Sequence, residues 1–173
     1  MVAEKSGILV IGIGNILLSD EGVGVHVVNA LIKKYRFEPE IEIIDGGTMG
    51  SELIAFFQDN KKIIIVDAVN FDQKAGFIGS IENEHILRKL TNKMSVHHLG
   101  LTDILFNLRI IGVEPEEIFL LGIQPESVEV NLEMTETVKS KTGRMEEIVL
   151  MKLDEWGVKA VPVEEAEPSA KAG

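Results

Sequence analysis

Three unbroken aliphatic runs constrain this chain more than any other feature. They are GILVIGI at 7–13, KIIIVDAV at 62–69 and EIFLLGI at 117–123. A half-solvated strand alternates apolar and polar side chains, whereas runs this continuous predict strands buried on both faces. A further strand is predicted at 41–44, stopping at Asp45-Gly46-Gly47-Thr48, and a weaker one at 77–81, on an edge. Helical spacing fills the intervals. Residues 20–35 repeat apolar positions at Val23, Val27, Ala30 and Leu31, with Ser19-Asp20 offering cap chemistry and Lys33-Lys34 at the C-terminal end. Helices are also predicted at 51–58, at 99–108 through Leu101, Ile104, Leu105 and Leu108, and as one long element at 135–156. Strands alternating with helices at this spacing imply a three-layer α/β/α fold around a mainly parallel sheet.

The organisation reads as one domain over 1–160, followed by a tail at 161–173 that is rich in Ala, Glu and Pro and is expected to be disordered. At 173 residues the chain can bury a core without staples. It contains no cysteine, which excludes disulfides, thiolate metal sites and a cysteine nucleophile. Any metal therefore falls to His, Asp, Glu or main chain. A net charge of −11 argues against nucleic acid, whose phosphates need a basic face, and suits a basic partner segment. The first apolar run is too short and too broken for a membrane span or signal peptide. The expectation is a cytoplasmic monomer with neither membrane nor nucleic acid as partner.

Ligands of such folds bind beyond the carboxyl ends of the strands, where the strand order reverses. That places attention on 15–21, 45–48, 67–70 and 124–127. Gly12-Ile13-Gly14-Asn15 suggests a dinucleotide loop with Asp45 on the ribose, but Leu17 occupies the third-glycine position and the helix begins too late. Asp67 follows four aliphatic residues, and a carboxylate beside a buried run is costly unless capped, paired or bound to metal. Glu21 and Asp20 fall in the first helical turn, where acids also complement the dipole without further role. His97 and His98 open the helix carrying Leu101 and read equally as cap or ligand. Glu21, Asp67 and one histidine would bring two carboxylates and an imidazole to one sheet edge, a set suited to a borderline divalent metal with open positions. No HExxH or GxSxG motif is present. His26 and His85 read as structural or solvated.

At this point the residues match a known pattern. GIGNILLSDEGVGVHVV at 12–28 resembles the N-terminal signature of the hydrogenase maturation endopeptidases. DGGT at 45–48, IIIVDAV at 63–69, SVHHLGLTDIL at 95–105 and GIQPES at 122–127 resemble later blocks of that family in the same order. The resemblance spans about 7–148. It implies a five-stranded mixed sheet with one antiparallel strand, for which 77–81 is the candidate. It also implies that Glu21, Asp67 and His97 contact a metal and carry catalysis. The family block commonly reads Ser-x-His-Gln-Leu-Gly, whereas this chain has Ser95-Val96-His97-His98-Leu99-Gly100, so His98 competes with His97 or sits beside it. The implied substrate is the NiFe-hydrogenase large-subunit precursor after insertion of its metal centre. Its nickel, held by substrate cysteines, is sensed by the protease, which removes the C-terminal extension. Asn15, Asp45, Gly46, Thr48 and His98 are the candidate substrate contacts. The DGGT form resembles the uptake-type branch more than the formate-linked one.

Two other readings stand beside this one. The absence of a standard protease nucleophile suits a nickel-binding maturation chaperone without peptidase activity. The GIGN loop with Asp45 suits a nucleotide-binding oxidoreductase module.

Overall fold

The computed structural model describes residues 6–83, 85–86, 88 and 99–163. Among these residues, the strands and helices with defined bounds run in the order β1 (Ile8–Ile13), α1 (Val23–Lys34), β2 (Tyr35–Glu38), β3 (Glu42–Gly47), α2 (Ile54–Asp59), β4 (Lys62–Ala68), β5 (Ile78–Glu82), α3 (Leu99–Ile110), β6 (Glu117–Ile123), α4 (Glu136–Lys139), α5 (Thr142–Glu155) and β7 (Lys159–Pro162). Short 3-10 turns at Ser19–Gly22 and Ser51–Leu53 lead into α1 and α2.

The main sheet has five strands in the order β3-β1-β4-β6-β5, all parallel except β5, which pairs antiparallel with β6 at the edge. The strand predicted at 77–81 is thus the antiparallel one. Alternation along the buried strands divides the core in two. Ile8, Val10, Ile64, Val66 and Leu121 face α1 and α5, meeting Val27, Leu31, Val149 and Leu153. Leu9, Ile11, Ile63, Ile65 and Leu120 face α2 and α3, meeting Phe57, Leu101, Ile104 and Leu108. Helices on both faces make the three-layer α/β/α sandwich that the aliphatic runs demand. No helix among the described residues is long and apolar enough to cross a membrane.

Three local departures have physical causes. The segment predicted as one helix at 135–156 is two, because the Ser140 hydroxyl donates to the Thr137 carbonyl and the Thr142 hydroxyl to that of Lys139. Side-chain bonds of this kind compete with the helical ladder. Strand β2 was not foreseen, since its four residues owe their conformation to an antiparallel partner, β7, far along the chain. That pairing also places Val161 and Pro162, read as the start of a tail, in a strand; residues 164–173 lie outside those described.

Candidate active site at the carboxyl edge of the sheet

The strand order reverses between β1 and β4: the chain builds outward from β1 to β3 on one side and from β4 to β6 on the other. By the rule for open α/β sheets, the ligand-binding edge is the one beyond Ile13 and Ala68. Close packing at this point depends on glycine. A Cβ on Gly24, in the first turn of α1, would collide with the carbonyl oxygens of Val66 and Ile13. Gly14, at φ 136°, lets the chain leave β1 while a Cβ there would strike the Glu21 carbonyl. The glycine pattern that suggested a dinucleotide loop thus serves to press the Glu21 turn and α1 onto the ends of β1 and β4. Gly24 supplies the close helix–strand approach that position 17 could not.

Asp67 is the penultimate residue of β4, opposite Gly122 of β6, and only 5% of it is exposed. Its carboxylate accepts a hydrogen bond from the Ala68 amide at 2.8 Å. Burial pushes its pKa well above the usual carboxylate range; the Ala68 amide lowers it in part, and the neighbouring charge of Glu21 raises it again. Glu21, half-buried in the 3-10 turn after β1, therefore shares an electrostatic environment with Asp67 although 46 positions separate them in sequence. The structure brings together these two of the three predicted site residues. His97 and His98 lie outside the described residues. Among the described residues, no group of three His, Asp or Glu side chains is placed to hold a metal.

The remaining predicted residues fall on the same edge with different exposures. The Asn15 side-chain oxygen accepts from the Leu17 amide at 2.9 Å, an Asx turn that shapes the loop. Strand β3 extends through Asp45, which is exposed and accepts from the Asn29 amide group at 3.0 Å. Gly46 is buried against Ile11, while Thr48 is exposed. The Gly14 amide donates to the Gly47 carbonyl at 2.9 Å and so fastens the two loops together.

Asp20 and Ser19 do something the sequence did not disclose. The first turn of α1 has no side-chain cap; its N-cap is Gly22. The fully buried Asp20 instead accepts from the amides of Glu126 and Ser127 at 2.9 and 3.0 Å, from the Thr135 amide at 2.7 Å and from the Thr135 hydroxyl at 3.0 Å. Ser19, at φ 51°, turns its hydroxyl to the Glu133 carbonyl at 3.1 Å. These bonds clamp the loop after β6 to the turn carrying Glu21. The signal was present only as an acid beside Glu21, which cap chemistry explained equally well.

The model of a family described as hydrogenase maturation protease matches residues 25–152. The hydrogenase 2 maturation protease of Escherichia coli K12 is 42% identical over 158 residues, 91% of this chain and 96% of its own. The hydrogenase expression/formation protein HupM of Azotobacter chroococcum mcd 1 is 34% identical over 175 residues, 99% of this chain and 84% of its own. Among solved structures, the hydrogenase maturating endopeptidase HybD from E. coli superposes with a TM-score of 0.85 at 41% identity, covering 92% of this chain and 99% of that one. A NiFe-hydrogenase maturation protease from Thermococcus kodakarensis gives a TM-score of 0.70 at 26% identity, covering 84% of this chain and 97% of that one.

Proposed function

The chain belongs to the hydrogenase maturation protease family, and from that premise we propose that it removes the C-terminal extension of a NiFe-hydrogenase large-subunit precursor once nickel is in place. The observation that carries the reading is the pairing of Glu21 with Asp67 across the topological switch point, in a chain with no cysteine and no serine elbow. Two carboxylates brought together by separate connections supply what amide hydrolysis needs in the absence of a protein nucleophile: a proton acceptor for water and anionic ligands for a substrate-borne cation.

Nickel enters as part of the substrate. Glu21 and Asp67, with His97 added by resemblance, form an incomplete ligand set that leaves positions for a metal already held by substrate cysteines. Burial gives Asp67 an unusual affinity for a proton, which suits it to take one from the attacking water and pass it to the departing amine. Water adds to the scissile carbonyl, the C–N bond breaks, and the extension leaves as a free peptide. Asp45 and Thr48, both exposed at this edge of the sheet, are the residues assigned to contact with the substrate tail, and their exposure supports that reading.

Mass spectrometry of the large subunit from cells lacking this protein separates protease from chaperone. A full-length precursor that contains nickel supports the protease; a nickel-free precursor contradicts it and favours a nickel-delivering chaperone.

A further inference from the structure

The loop that Asp20 clamps carries a surface unlike an ordinary connection. Residues 128–133 read Val-Glu-Val-Asn-Leu-Glu, and their apolar members are strongly exposed: Val130 at 86% and Leu132 at 69%. Leu17, itself 54% exposed, lies alongside, because the Asn131 amide donates to the Leu17 carbonyl at 3.0 Å and the Ser19 amide to the Asn131 carbonyl at 2.8 Å. This display is fixed. The loop is held at Glu126, Ser127 and Thr135 by a buried carboxylate and at Glu133 by the Ser19 hydroxyl. A rigid apolar crest in water has a cost that a binding partner recovers, and pre-organisation lowers the entropy lost on docking.

We propose that this crest is a docking ledge for the precursor, taking an extended segment whose apolar side chains are flanked by Lys or Arg. The occupant follows from charge. Glu126, Glu129 and Glu133 are exposed around the crest, and none is in an ion pair among the described residues. A second copy of this chain, with a net charge of −11, would set acid against acid there. A basic segment is drawn in and oriented by the same groups. The ledge is continuous with the Glu21 turn through Asp20, so a precursor seated on it presents its tail toward Asp67. The proposal rests on the protease reading above, and it adds where the substrate is held.

The test uses full-length protein and purified nickel-loaded precursor, with Val130→Ser/Leu132→Ser and Glu129→Lys/Glu133→Lys as separate double variants. Both pairs are exposed and outside the catalytic groups, so Tm is expected to stay at the wild-type value. The expected result is a KM raised about 10-fold or more in each variant with kcat within about twofold. The wild-type KM is also expected to rise with salt, and that of the lysine variant to respond less. Unchanged KM in both variants, with the wild type cutting normally, overturns the ledge and leaves the protease reading intact. If the wild type binds the precursor without cutting it, the protease reading fails, and weakened binding by the variants still sustains the ledge. Wild-type self-association abolished by Val130→Ser/Leu132→Ser would overturn the proposal in favour of a self-interface.

Discussion

Two buried carboxylates stand at the same sheet edge and are treated in opposite ways. The protein surrounds Asp20 with three amides and a hydroxyl, so that its charge is engaged in holding the loop after β6 to the turn after β1. Asp67 is held by burial and by its nearness to Glu21 in a state of raised proton affinity. The first arrangement makes a clamp. The second makes a group able to exchange a proton with a reacting molecule. Asp20 is the chain neighbour of Glu21 in one 3-10 turn, so the rigid anchor adjoins one member of the reactive pair.

Replacing Asp67 by Asn should break the comparison most strongly. Processing of the precursor is expected to fall about 10³-fold, the scale of a lost general base, while the protein becomes more stable at neutral pH. The sign follows from linkage. The folded-state pKa of Asp67 lies above its unfolded value, so its contribution to stability is complete below the unfolded pKa and is lost as pH rises through the folded one. Thermal denaturation from about pH 4 to neutrality should therefore show the wild type losing stability relative to Asp67→Asn.

Asp20→Ala should do the reverse, costing stability before chemistry. It leaves the amides of Glu126, Ser127 and Thr135 without their acceptor, a loss of about 3 kcal/mol, and hydrogen exchange at those three amides should accelerate by about 10²-fold. Gly24→Ala comes next. A methyl group directed into the Val66 and Ile13 carbonyls should cost about 2 kcal/mol in denaturant unfolding and displace the Glu21 turn. The smallest effect is expected for Asn29→Ala, which removes one exposed hydrogen bond to Asp45 and should cost about 0.5 kcal/mol.

The sheet was legible because burial on both faces leaves a local mark: the runs ILVIG, IIIVDA and IFLLGI were each predicted to within a residue or two. Strand β2 left no such mark, being stabilised by a pairing with β7 that no local window contains. Asp67 was legible for a related reason, since an acid at the end of an aliphatic run has to be accounted for. Glu21 was nominated by the sheet-edge rule and by resemblance. Asp20 beside it reads in the sequence as a cap, because an acid in a first turn looks the same whether it caps its own helix or gathers amides more than a hundred positions away. The dinucleotide-like glycines show the same limit: spacing disclosed a tight contact, and only the fold disclosed that Gly24 and the Glu21 turn were what needed the room.

The most direct test of the account compares cleavage of nickel-loaded and nickel-free precursor by the wild type and by Glu21→Gln and Asp67→Asn, with release of the C-terminal peptide followed by mass spectrometry. The account predicts release from the nickel-loaded precursor by the wild type alone. Equal cutting of nickel-free precursor, or wild-type rates from either variant, would contradict it.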